Sequence, residues 1–339
     1  MSKKNKIYRG LLKQSIIPNL LLAAIASLLS LLMLEAFLHI YIDRYYGERS
    51  FEESMNIPGK NIWALKPYGT IKDGEFNTPL NNFGFRGRDF ALDKKVDTTR
   101  IAVIGDSFTF GDGLENDDDT FPYLLEAKLN IGAKFEVMNF GFPGANMMDI
   151  YWTFIYRVLP FSPDIVIYGF YINDLQFMDY NLDADNCVTT NKRLLYLPTF
   201  LKIRNDNLIM NVRKSSPGMT NLYFEEMLSP DYEGMKCFKN LLREMKGISL
   251  EKNISLIAFN VPNSFEYPNR EEEAIDSFFN ESGIPAIPRF GKMFGEEMIL
   301  QNITEINVDR PKNNHFNRHG NSIIAGILHR YLVREGYAG

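Results

Sequence analysis

Twenty-one consecutive residues, Gln14 to Leu34, carry no charged side chain and are rich in Leu, Ile and Ala. As a helix rising about 1.5 Å per residue, the run spans roughly the 30 Å of a bilayer core, so it reads as a membrane span and not as a buried core helix. A signal peptide cut near Ala24-Ile25-Ala26 is the competing reading. The apolar residues continue past that site through Leu28 to Leu34 and again at Ala36-Phe37-Leu38, which favours an uncleaved anchor. Lys3, Lys4, Lys6, Arg9 and Lys13 precede the run with no acid among them. By the positive-inside tendency the N-terminus is then cytoplasmic, and everything beyond about Tyr41 lies in the periplasm or outside the cell. The organisation expected is a basic tail over 1–13, a transmembrane signal-anchor over 14–42, a polar tether over 43–60, and a domain over 61–339 with an insertion around 181–230.

Charge and composition narrow what that domain can do. The net charge is −5, and the basic tail makes the remainder more acidic still, which argues against a nucleic-acid partner. A chain of 339 residues, 45% hydrophobic and 23% charged, has room for a sizeable core and lacks the bias of a disordered, collagen-like or disulfide-scaffold protein. Its two cysteines, Cys187 and Cys237, have no C-x-x-C spacing. They can pair in an oxidising compartment or remain separate thiols.

From Arg100 onward, short apolar runs alternate with helix-period segments. Ile101–Ile104, Phe135–Asn139, Asp164–Tyr168, Leu256–Val261 and Ile284–Ile287 read as strands. Phe121–Leu129, with Pro122 in its first turn, Asn146–Leu159, Tyr232–Lys246, Arg270–Phe279 and Gly320–Val333 read as helices. Residues 56–89, rich in Gly, Pro and Asn, read as loops with one or two short strands. This rhythm predicts a three-layer α/β/α sandwich with a mostly parallel, flavodoxin-like sheet, preceded by one N-terminal transmembrane helix.

In such sheets chemistry gathers at the carboxyl ends of the strands. Gly105-Asp106-Ser107 follows the first strand, with Ser107 on the turn as a nucleophile or as a helix N-cap. Thr109 occupies the position where a nucleophile elbow needs Gly, and no dinucleotide or phosphate-loop glycine pattern occurs. Asn139 to Asn146 contains glycines that can expose backbone N–H groups, and Asn173 after the third strand could donate to an oxyanion. Of the four histidines, His39 belongs to the anchor's end and His329 to the last helix, leaving His315 or His319 as a base. That pair lacks the Glu and third ligand of a zinc site, so neither metal nor cofactor is expected. The cluster Asp112, Glu115, Asp117, Asp118 and Asp119 lacks EF-hand spacing and reads as a solvated loop with a helix cap.

Taken in order, these segments resemble the four blocks of the SGNH/GDSL hydrolases, over about Asn82 to Leu332. The resemblance implies Ser107 as nucleophile, an oxyanion hole from the Ser107 and Gly144 N–H groups with the Asn173 amide, and His315 as base, followed by Asn317 and Gly320. Asn82-Phe83-Gly84-Phe85-Arg86-Gly87 is similar to a segment that precedes the first block in membrane-anchored members. Two positions depart from the pattern. Tyr171 stands where the family usually has Gly, and Lys312 and Asn313 stand where it has the aspartate that orients the histidine. Asp309, the Asn313 amide oxygen or a backbone carbonyl are the candidates to replace that aspartate. The activity implied is a membrane-anchored, extracytoplasmic serine esterase that removes or transfers acyl groups on an acylated small molecule, surface glycan or lipid. The competing class is a non-catalytic module that uses the same cleft to bind a glycan or protein partner.

Overall fold

The uncharged run forms a helix, α1 (Pro18–Leu38), the one helix among the described residues long and apolar enough to cross a membrane. Its side chains are exposed along almost its whole length. The computed structural model describes residues 18–38, 53–57, 60–64, 67–73, 76–131, 134–175, 182–183, 188–189, 227–229, 231–262, 272–308 and 315–338. Helix α1 belongs to one compact unit, and every other described element belongs to a second.

Two antiparallel hairpins come first, β1 (Glu53–Ile57) with β2 (Lys60–Ala64) and β3 (Thr70–Asp73) with β4 (Phe76–Pro79). The first of them starts within the polar tether expected over 43–60 and runs into the following segment, where one or two short strands were expected. The central sheet is built from β5 (Thr99–Gly105), β6 (Phe135–Gly141), β7 (Ile165–Phe170) and β10 (Ser255–Asn260), in the order β6-β5-β7-β10 and all parallel. The chain places its second sheet strand on one side of the first and its third on the other, which is the flavodoxin-like order. Near Ile284–Ile287 only a single parallel bridge forms, from Ala286 to Ala258.

Successive residues of the buried strands face opposite cores. Ile101, Val103, Ile167, Ile257 and Phe259 pack against α3 (Phe121–Leu129), α7 (Phe290–Leu300) and α8 (Arg318–Arg334). Ala102, Ile104, Met138, Phe140, Val166, Tyr168 and Leu256 pack against α4 (Met147–Thr153), α5 (Glu233–Glu251) and α6 (Glu272–Ser282). At the amino end of β5, Arg100 is fully buried, and its guanidinium is satisfied by Glu136 and the carbonyls of Ala91, Leu92 and Phe161.

Several expectations shift in detail. The helix predicted over Asn146–Leu159 is α-helical only to Thr153, continues as a π turn over Phe154–Val158, and ends in a 3₁₀ turn containing Pro160. Proline supplies no N–H and cannot extend the helix. Within the expected insertion, β8 (Leu182–Asp183) pairs with β9 (Val188–Thr189), and most of the rest of 181–230 lies outside the described residues. Cys237 on α5 is buried and disulfide-bonded, and Cys187 lies outside the described residues.

Candidate active site

The sheet register aligns three glycines at the carboxyl ends of neighbouring strands: Gly105 pairs with Gly141 on one side and Gly169 on the other. A Cβ on Gly141 would lie 2.2 Å from the Phe110 nitrogen, and one on Gly105 would lie 2.3 Å from Thr109 Oγ1 and 2.8 Å from the Gly169 carbonyl. Bare backbone along this row is what lets a single helical turn, α2 (Ser107–Phe110), lie directly on the strand ends. Asp106 caps that turn, accepting from the Phe108 N–H at 2.9 Å, so Ser107 is not its N-cap and its hydroxyl is available to another partner. Gly111 closes the turn in the left-handed region, at φ +82°.

The partner of Ser107 comes from 208 residues away. His315 Nε2 lies 2.7 Å from Ser107 Oγ. An antiparallel bridge between Asn307 and Phe316 and the Val308 N–H bond to the His315 carbonyl hold this histidine's backbone. Asn317 then fastens the bridge to α8: its Oδ1 accepts from the His319 and Gly320 N–H groups, and its Nδ2 donates to the carbonyls of Glu305 and Asn307. Gly320 is where the helix closes on Phe316, whose Cβ would be 2.8 Å from any added side chain. The spacing His315, Asn317, Gly320 therefore has a mechanical basis. His319 is exposed in the first turn of α8, and His329 is half-buried on the same helix, its pKa lowered by burial and by nearby Lys128 and Arg330.

Asn173 lies on the 3₁₀ turn Ile172–Leu175 that follows β7. Below it, Asp106 is fully buried and its pKa is pushed up to about 6 by desolvation, against the opposing effect of nearby hydrogen-bond donors that include Asn173 and Ser107. Asp174 is equally buried and is raised well above the usual carboxylate range by desolvation and by the Asp106 charge. Tyr168 donates to Asp174 Oδ2 at 2.6 Å, which fixes the turn carrying Asn173 to the floor of the sheet. Gly144 is exposed on the Phe142–Ala145 turn after β6, at φ +74°. Tyr171, the departure noted in the sequence, packs its ring 4.6 Å from Phe108, which in turn sits 4.7 Å from the His315 ring.

Asp309 and Asn313 lie outside the described residues. The residue that sequence reasoning missed is Asp112, whose Oδ2 lies 3.8 Å from His315 Nδ1. The acidic cluster is not uniformly solvated: Asp112 faces His315, Asp117 binds Arg86 at 2.7 Å, and Asp119 pairs with Arg318. Arg86 is the basic residue of the Asn82–Gly87 segment and is 1% exposed. Besides Asp117, its guanidinium donates to the Gly111 carbonyl at 2.6 Å and the Leu114 carbonyl at 2.9 Å, clamping the loop that follows Ser107 and α2. Among the described residues, no group of three or more His, Cys, Asp or Glu could hold a metal ion.

No family model and no curated protein matches the chain. Among solved structures it is similar to a putative lipolytic protein of the G-D-S-L family from Desulfitobacterium hafniense, with 17% identity over 68% of this chain and 98% of that one, at a TM-score of 0.40. A two-domain esterase active on acetylated mannans is similar over 70% of this chain and 49% of its own length, with 16% identity and a TM-score of 0.42. The lipase/acylhydrolase from Enterococcus faecalis shares 14% identity over 71% of this chain and 97% of that one, at a TM-score of 0.39.

Proposed function

We propose that this chain is a membrane-anchored serine esterase or acyltransferase whose active site lies outside the cytoplasm. The observation that carries the reading is the 2.7 Å contact between Ser107 Oγ and His315 Nε2 at the carboxyl ends of β5 and β7, the point where the strand order reverses. A serine hydroxyl is a weak nucleophile until a base within hydrogen-bond reach takes its proton.

In this reading Ser107 Oγ attacks an ester carbonyl as His315 Nε2 accepts the hydroxyl proton. The tetrahedral oxyanion is met by the N–H groups of Ser107 and Gly144 and by the Asn173 amide, donors that gain in strength as negative charge develops. Collapse of the intermediate breaks the ester C–O bond, and the imidazolium returns its proton to the departing alkoxide. The acyl-Ser107 ester is then attacked by water, completing hydrolysis, or by an acceptor hydroxyl, completing transfer. His315 serves as base for that second attack as well.

Helix α1 would act as a signal-anchor within the 14–42 segment, with the 1–13 tail cytoplasmic and the domain over 61–339 periplasmic or extracellular. Acylated glycans and lipids of the cell surface are then the substrates within reach, along with acylated small molecules.

The test is labelling of the full-length chain in detergent micelles by a fluorophosphonate probe. Wild type is expected to label, and Ser107→Ala and His315→Ala are expected to lose the label. A folded wild type that does not label would overturn the reading.

A further inference from the structure

We propose that Asp112, from the loop that carries the nucleophile, is the carboxylate that positions and charge-balances His315. The inference rests on the Ser-His reading above and identifies the third member of that site. With His315 Nε2 engaged by Ser107, the other ring nitrogen, Nδ1, faces Asp112 Oδ2 at 3.8 Å. That is an ion-pair distance, and it tightens as the ring becomes cationic on accepting the serine proton.

The carboxylate is held in place by the backbone around it. Asp112 follows Gly111, which takes the left-handed conformation at the end of α2, and it precedes Gly113, also left-handed at φ +86°. The Asp112 N–H donates to the Ser107 carbonyl at 2.9 Å, so the acid is tied to the nucleophile's own residue. Arg86 grips the loop on both sides of it, at the Gly111 and Leu114 carbonyls. The loop's other acids are committed elsewhere or exposed: Asp117 to Arg86, Asp119 to Arg318, with Glu115 and Asp118 on the surface.

Among the described residues, the charged and titratable groups around His315 include Asp112 on its Nδ1 side, Ser107 on its Nε2 side with Asp106 buried beside it, and the Arg86–Asp117 and Arg318–Asp119 pairs of the same loop. Among the described residues, Asp112 places a carboxylate within 4 Å of the ring. A nearby carboxylate favours the imidazolium, so it raises the basicity of Nε2 and lowers the barrier to proton transfer from Ser107. The two side chains are 22% and 28% exposed, so solvent screening holds the expected effect to about two-fold to five-fold in kcat/KM, far below that of a buried triad aspartate.

The experiment compares full-length wild type, Asp112→Asn, Asp112→Glu and Asp309→Asn in detergent. Two readouts are used: kcat/KM against pH for a chromogenic short-chain ester, and the NMR titration of the His315 ring with ¹³C-labelled histidine, assigned with His315→Gln. Asp112→Asn is expected to lower kcat/KM more than Asp309→Asn does and to move both the acid limb of its pH profile and the His315 titration to lower pH. Asp112→Glu is expected to restore part of each. An unmoved His315 titration in folded Asp112→Asn would overturn the proposal, as would a larger loss in Asp309→Asn. The NMR arm needs no turnover, so a wild type without esterase activity would count against the Ser-His reading while the Asp112–His315 pair is still decided.

Discussion

Arg86→Met removes a guanidinium and keeps most of its apolar stem, and its effect can be worked from three bonds. Arg86 Nη1 reaches the Gly111 carbonyl at 2.6 Å, Nη2 the Leu114 carbonyl at 2.9 Å, and Nε the Asp117 carboxylate at 2.7 Å, with the guanidinium carbon 5.5 Å from the centre of the Phe110 ring. Hydrogen bonds to a charged group contribute roughly 1.5–3 kcal/mol each, and a buried acceptor left without a donor costs about 1–3 kcal/mol. Asp117 is 30% exposed and can turn to water, so its share is discounted, whereas Gly111 and Leu114 are buried and cannot be rehydrated without opening the loop. The expected loss is about 3–5 kcal/mol, the range for breaking a buried ionic contact by deleting one partner. Arg86→Lys keeps the charge but not the planar fork, and should fall between wild type and Arg86→Met. Urea unfolding of the full chain in detergent measures the stability, and kcat/KM on a short-chain ester measures the site. Because Arg86 acts on catalysis through the loop bearing Asp112, the activity loss of Arg86→Lys should be smaller in an Asp112→Asn background than in wild type. An Arg86→Met variant within about 1 kcal/mol of wild type, or activity losses that simply add, would refute this account of the clamp.

Two further perturbations follow from the same geometry. Asp106 holds its proton to about pH 6, above the ordinary 3.8, so its contribution to stability is full below pH 3.8 and is lost as pH rises through 6; the displacement corresponds to about 3 kcal/mol, and Asp106→Asn should flatten the stability of the folded chain between pH 4 and pH 7.5 by about that amount. Asn317→Ala removes a helix cap and leaves the Glu305 and Asn307 carbonyls unpaired, which should cost about 1–2 kcal/mol in urea unfolding and lower kcat/KM by loosening the segment that carries His315.

The parts of the fold that were legible from sequence are those decided by local pattern. Helix α3 was read to its boundaries because Pro122 and the apolar repeat mark it, and the buried strands because short β-branched runs have no other use. Helix α7 left no such mark. Its N-cap position is Arg289 in the left-handed region with no side-chain cap, and its first turn contains Gly291, a poor helix former retained because Glu272 packs against it. The residues alone left Ser107 between two roles and the base between His315 and His319, and the resemblance singled out Ser107 and His315; each stands in a spacing with its own backbone logic, the glycine row under α2 for one and the Asn317 cap and Gly320 contact for the other. Asp112 was not, since nothing in a run of acids tells which one a histidine 203 residues later will face. That information resides in the Arg86 clamp and the loop's two left-handed glycines, whose effect is visible only in three dimensions.

Ser107 and Asp112 are five residues apart in one continuous turn, which the Asp112 N–H closes on the Ser107 carbonyl. A site drawn from three remote loops must align three seams, and an error in any one spoils it. Among Ser107, Asp112 and His315 a single seam remains, the docking of the segment carrying His315 and α8 onto that turn. Damage near the C-terminus should therefore displace His315 while leaving the turn from Ser107 to Asp112 intact.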